Sequence, residues 1–319
     1  MTGDAAPPGD APKPDTRAGG VAFSLAAYAS WGIVPLYWKL LHRVAPIEIL
    51  AHRVTWSLLF VGALALGLGG RAPIVGAFRA RRTLALLAGT AALISFNWGL
   101  FIWAVTSGHL ADASLGYFVN PLVSVALGTL VLGEKLRPMQ KAAVALASVG
   151  VLVLVVGGAG FPWIGLSLAG SFGAYGLLRK IAPVEATVGL FVETVLVSPI
   201  AIGFLGLRFF SGASVLTTGT PLEIALAIGS GVITGLPLVW FSAGARRLPL
   251  STVGLLQYVA PTLQLLIAVA VFGEQVERAK WAAFGAIWTA LVVFSVDMLR
   301  RARRPPVDSR LPTVTDPAR

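Results

Sequence analysis

Glu193 and Arg53 each place an ionisable group inside a long apolar stretch. Glu193 is flanked by Leu190, Phe191, Val192, Val195 and Leu196. A charge at the centre of a bilayer costs about 2.5–3.5 kcal/mol on insertion scales, so such residues are functional candidates by default. A carboxyl there binds and releases a proton, pairs with a cationic group of a solute, or is fixed in an interhelical bond. Arg53 precedes Glu193 by 140 residues, a spacing that recurs below. The two either form a charge pair that a solute or proton breaks, form a permanent structural pair, or face one cavity separately.

Other polar groups share these apolar stretches. Glu48 and His52 lie four residues apart on one helical face, as solute contacts or as a surface cluster. Asn97, Asn120, Gln257 and Gln264 offer neutral hydrogen bonds, either to a solute or between helices at roughly 0.6 kcal/mol each. Trp31, Trp98, Tyr117, Tyr175 and Tyr258 sit near span centres, where they pack helices or line a pocket for an apolar or aromatic solute. Tyr37, Trp38, Trp163 and Trp281 fall near span ends, as an interfacial belt requires. Pro121 and Pro261 each remove a backbone donor mid-span and are the candidate hinges. Glu134 and Glu274 end their spans where a carboxylate complements the dipole at the start of the next helix. Lys39 and Arg179, also 140 apart, lie at membrane ends and can snorkel.

Several chemistries are excluded. There is no cysteine, and His42, His52 and His109 lack metal-site spacing. No Gly-x-x-x-x-Gly-Lys-Ser/Thr loop, His-Glu-x-x-His motif or acid cluster is present, and Asp112 and Asp297 stand alone near span ends. No enzyme activity, cofactor or metal is expected.

The elements that must position these residues are membrane helices. The chain is 56% hydrophobic and 12% charged, with a mean hydropathy of +0.81. A soluble domain is about a quarter charged. Ten segments are long and apolar enough to span: 21–41, 47–68, 83–105, 111–132, 139–157, 162–180, 186–205, 222–243, 251–272 and 278–298. Residues 1–20 and the part of the basic cytoplasmic tail 299–319 that follows Arg304 are expected to be disordered, and no signal peptide is expected before the first span. Of 25 Lys and Arg, 19 fall on one side of these spans, 5 on the other and Arg53 within one. The positive-inside rule then makes the first side cytoplasmic, with both termini inside. The net charge of +11 is therefore a topology signal rather than a nucleic-acid surface.

A repeat organises the spans. Residues 115–134 and 255–274 share six identities in 20 ungapped positions, including Pro121 with Pro261, Gly133 with Gly273 and Glu134 with Glu274. An offset of 140 pairs spans one to five with spans six to ten. An odd number of crossings inverts the second copy, so 21–157 and 162–298 form two five-helix units related by a pseudo-two-fold axis in the membrane plane.

These stretches carry a family resemblance. Pro35-Leu36-Tyr37-Trp38-Lys39, Ala51-His52-Arg53, Asn97-Trp98, Gly108-His109, and Leu115-Gly116-Tyr117-Phe118 through Asn120-Pro121-Leu122 contribute from the first half. Tyr175-Gly176-Leu177-Leu178-Arg179-Lys180, Glu193-Thr194 and Leu255-Leu256-Gln257-Tyr258 contribute from the second. Over about 21–298 the chain resembles the EamA branch of the drug/metabolite transporter superfamily, and within it the RarD chloramphenicol-sensitivity permease group. The resemblance implies ten transmembrane helices in two EamA units and a plasma-membrane exporter. Its expected partners are a small organic solute, protons and the lipid bilayer. A channel or a non-transporting scaffold is the competing reading. Cargo, coupling ion and oligomeric state stay open.

Overall fold

The computed structural model describes residues 14–133, 138–156, 161–245, 247–248 and 256–302, and every regular element among them is helical. Pro14 opens α1 (Pro14–Leu40), so the helix begins before residue 21 and takes in residues expected to be disordered. Proline suits a first helical position because it removes no helical bond there. Next come α2 (Pro46–Gly69), the short α3 (Arg71–Arg79), α4 (Arg81–Thr106) and α5 (Leu110–Leu132). They are followed by α6 (Pro138–Val156), α7 (Trp163–Ile181), α8 (Ala186–Phe210) and the single turn α9 (Val215–Thr218). The last are α10 (Pro221–Ala245), α11 (Val259–Leu266) with a π-turn over Ile267–Val271, and α12 (Arg278–Ala302). Helix α12 continues through Ala302, and residues 303–319, with the tail expected to be disordered after Arg304, lie outside the described residues.

Among the described residues, seven helices are long and apolar enough to cross a membrane: Ala18–Leu40, Pro46–Gly67, Arg81–Thr106, Leu110–Val131, Thr187–Thr218, Pro221–Phe241 and Arg278–Val296. Of the three other expected spans, 139–157 and 251–272 appear as the shorter apolar helices Pro138–Val153 and Val259–Val271. Residues 251–255 lie outside the described set. The third, 162–180, is the 19-residue α7.

Large apolar side chains remain on the outside of the bundle, while several ionisable or amide groups are enclosed with its apolar core. Leu130, Val156, Ile200 and Phe210 are exposed, while Glu48, His52, Asn97 and Glu193 are 1–2% exposed. Lipid accepts apolar side chains, and the interior must supply partners for the polar ones.

Helix ends are tied down locally. Thr220 and Glu223 form a reciprocal capping box before α10: the Glu223 carboxylate accepts from Thr220 N at 2.8 Å, and Thr220 Oγ1 accepts from Glu223 N at 3.2 Å. Glu274 accepts from Leu110 N at 2.9 Å and Ala111 N at 2.8 Å. Its carboxylate therefore caps α5, not the following helix that the sequence suggested. Glu134 lies outside the described residues.

The packing partners are specific. Helix α1 lies against α10 and α11, α7 against α4 and α5, α2 against α8 and α10, α4 against α8, and α6 against α12. The α5–α7 crossing is a backbone contact: a Cβ on Gly116 would lie 2.8 Å from Gly165 Cα. Small residues let membrane helices approach this closely.

Candidate functional site

Glu193 sits in α8 with its carboxylate served from two other helices. Thr90 of α4 donates its hydroxyl to Oε1 at 2.6 Å, and Tyr175 of α7 donates to Oε2 at 3.2 Å. Arg179 of α7 places Nη1 3.6 Å from Oε1. Tyr175 and Arg179 are four residues apart, so one face of α7 delivers both. Gly189, one turn before Glu193, leaves the space the Arg179 guanidinium occupies; any Cβ there would collide with it. The cation beside Glu193 is thus Arg179 rather than Arg53. A proton on Glu193 would cancel the charge that holds this pair.

Arg53 of α2 is held by aromatic faces. Its guanidinium carbon lies 4.0 Å from the Trp98 ring centroid and 5.7 Å from that of Trp38. The Arg53 Nε is buried without a hydrogen-bond partner, and no carboxylate among the described residues lies in ion-pair range.

A small cavity lies between α2, α4 and α8, lined by Val54, Ser57, Ser95, Trp98, Glu193 and Thr194 among others. Trp98 therefore has Arg53 over its ring and also lines the cavity, as Glu193 does.

The other sequence candidates divide. Asn97 is committed between helices: Nδ2 donates to Leu168 O and Ser171 Oγ, both at 2.9 Å, and Oδ1 accepts from Tyr117 at 3.4 Å. Gln264 likewise donates to Trp31 O at 3.1 Å. Asn120 Oδ1 is buried without a hydrogen-bond partner among the described residues, and the Tyr258 hydroxyl has the Gln257 side chain beside it. Trp31 packs against Tyr28 and Phe241, away from the cavity lining. Pro121 lies within the continuous α5, whereas the helix breaks at Gln257 and Tyr258 ahead of Pro261. The Gln257 carbonyl, which Pro261 cannot serve, accepts from Ala260 N at 3.3 Å.

His52 belongs to a different polar centre. Its Nδ1 accepts from Trp56 Nε1 at 3.3 Å, and Nε2 lies 4.0 Å from Glu48. Glu48 is fully enclosed and accepts from Arg208 Nη2 at 3.1 Å, Ser214 Oγ at 3.0 Å and Val215 N at 2.7 Å. Sequence reasoning missed Thr90 as a partner of Glu193 and Arg208 as a partner of Glu48. The one readable hint for the first site was the i, i+4 spacing of Tyr175 and Arg179.

Residues 18–156 match the EamA-like transporter family. The protein named RarD from Streptomyces exfoliatus is 45% identical over 285 residues, covering 89% of this chain and 90% of that one. The chain belongs to the RarD group of the EamA family. An uncharacterized transporter from Pseudomonas aeruginosa shares 47% identity with this RarD-group chain over 293 residues, or 90% of it and 96% of the relative. A crystal structure 19% identical in sequence superposes with a TM-score of 0.57 over 90% of this chain and 100% of the other, a likeness of fold. With its apolar helices, this member of the RarD group is a multi-pass membrane transporter of the drug/metabolite superfamily.

Proposed function

We propose that the chain is a secondary active permease that exports small organic metabolites or drugs across the plasma membrane. It works by alternating access around a central cavity between two inverted five-helix repeats, 21–157 and 162–298. The observation that carries this reading is an exchange in the packing. With spans numbered one to ten, span one lies on spans eight and nine, through α1 on α10 and α11. Span six lies on spans three and four, through α7 on α4 and α5. Adding five to each number, and wrapping past ten, turns the first set into the second. Span two on eight and span seven on three follow the same rule, as α2 on α10 and α8 on α4. The repeat-related Gly133 and Gly273 both have φ +67°, the left-handed region that favours glycine at a helix end. Folds built this way bind cargo at the repeat interface.

Glu193 is the coupling group in this reading. Its carboxylate faces the cavity and pairs with Arg179 in the conformation described. The test is flux in proteoliposomes against a panel of amphenicols, amino acids, aromatic metabolites and organic cations. A carrier gives saturable flux that solute on the far side accelerates. Linear flux would indicate a channel, and no solute-dependent flux would indicate a scaffold. Glu193→Gln should cut accumulation driven by a pH gradient at least roughly tenfold, the equivalent of about 1.4 kcal/mol. Accumulation by Glu193→Gln equal to wild type would remove Glu193 from coupling.

The excess of Lys and Arg on one side of the spans supports a topology with both termini in the cytoplasm. The absence of cysteine makes this testable with single-cysteine variants. Ser107 is exposed, whereas the adjacent Gly108 has φ +76°, so Ser107→Cys is the better probe. An impermeant thiol reagent should label it on intact cells; labelling only after permeabilisation would reverse the orientation.

A further inference from the structure

The geometry points to Arg53 as the anchor for a carboxylate on the cargo, so that the solutes carried are monoanionic organic acids with an aromatic or apolar body. This deepens the transport reading and rests on it. A guanidinium in an apolar bundle is costly, and proteins that keep one normally give it a carboxylate. Glu193 is taken by Arg179 and Glu48 by Arg208, and neither reaches Arg53. What Arg53 has instead is aromatic cover, with Trp98 at 4.0 Å and Trp38 at 5.7 Å. Rings satisfy the faces of a guanidinium by cation–π attraction. They leave its in-plane N–H donors unserved.

The donors are in surplus here. Among the described residues nothing accepts from the buried Arg53 Nε, nor from Nε1 of Trp38, a residue only 1% exposed. Two buried donors without acceptors are each costly to leave unmade. A group that only accepts, in the plane of the guanidinium, resolves the deficit, and a carboxylate matches that fork with two parallel bonds. One guanidinium balances one negative charge, which favours a carboxylate over a dianionic phosphate. Trp98 also lines the small cavity that Glu193 faces, and that cavity would have to widen toward Arg53 for an acid held there to lay its body along the indole.

The experiment uses purified full-length protein and four small probes: benzoate, phenylacetate, phenylphosphonate and benzamide. Two readouts are taken, the thermal midpoint against probe concentration and the protection of Arg53 from phenylglyoxal, mapped by mass spectrometry. The expected result is a saturable rise in midpoint with the two carboxylates, protection of Arg53 by them, and silence from benzamide. Arg53→Gln should weaken carboxylate binding roughly tenfold or more, and Arg53→Lys should weaken it less because it keeps the charge but loses the fork. A shift from phenylphosphonate alone would overturn the carboxylate assignment. An equal shift from benzamide, a shift retained in Arg53→Gln, or no effect of either carboxylate would overturn the anion site altogether. If both variants fail to fold, protection in the wild type still decides. Saturable proteoliposome flux of a neutral or cationic solute that survives in Arg53→Lys would sink this inference and leave the transport reading standing. Absence of any flux would sink the transport reading instead.

Discussion

Gly116→Ala should leave little folded protein in detergent extracts. A Cβ at Gly116 would lie 2.8 Å from Gly165 Cα and 2.9 Å from its carbonyl carbon, and both are backbone atoms. No rotamer change relieves that contact, so α5 and α7 must separate. Separation would also strain the Tyr117 to Asn97 contact and the bonds from Asn97 to Leu168 and Ser171. Overpacking of a rigid contact typically costs about 1–3 kcal/mol and occasionally more. Gly165→Ala is milder, because its nearest neighbours would be the Asp112 carbonyl oxygen and Gly116 N, both at 3.1 Å. Gly170→Ala on the same helix is the control: nothing lies within 4 Å of its Cβ, and helix propensity gains about 1 kcal/mol. Monodisperse yield by size-exclusion chromatography should rank Gly170→Ala at wild-type level, Gly165→Ala below it and Gly116→Ala last. Equal yields for all three would show that the α5–α7 crossing has slack.

The second large effect is expected at Glu48. Its carboxylate serves Arg208, Ser214 and Val215 N from one buried position. In Glu48→Ala the Arg208 side chain, 36% exposed, turns to water. Ser214 and the Val215 amide do not have that recourse, and unsatisfied buried donors cost roughly 1–3 kcal/mol each. A total of about 3 kcal/mol should appear as a thermal midpoint several degrees lower. Glu48→Gln keeps one acceptor oxygen and should fall between. A midpoint unchanged in Glu48→Ala would mean that α9 rearranges to satisfy its own first turn.

Most of the bundle was legible because bilayer spans need runs of apolar residues, and such runs can be read without knowing any contact. Helices α3 and α9 were not, because nine and four residues are too short to stand out in a hydropathy window. Their presence is decided by what they meet. Ile74 and Ala77 of α3 join Val188 and Val192 of α8 in one apolar cluster, while α9 is held by Glu48. The site divides in the same way. Glu193 announced itself by its surroundings along the chain. Its partner Thr90 is 103 residues away, and nothing local distinguishes that threonine from others in apolar helices. Arg53 was equally visible, yet its cover by Trp98 and Trp38 depends on how α1, α2 and α4 meet. The offset of 140 relates positions, not contacts, and so it suggested Arg53 for Glu193 where the fold supplies Arg179.

The same offset matches the two short helices. Glu48 and Ser214 correspond to Val188 and Ile74, so equivalent joints are made of opposite materials: a buried carboxylate with its donors at one end, and aliphatic side chains at the other. Shortening a side chain therefore has different consequences at the two joints: at Ile74 and Val188 it strands no donor, whereas at Glu48 it leaves the Ser214 hydroxyl and the Val215 amide without their acceptor.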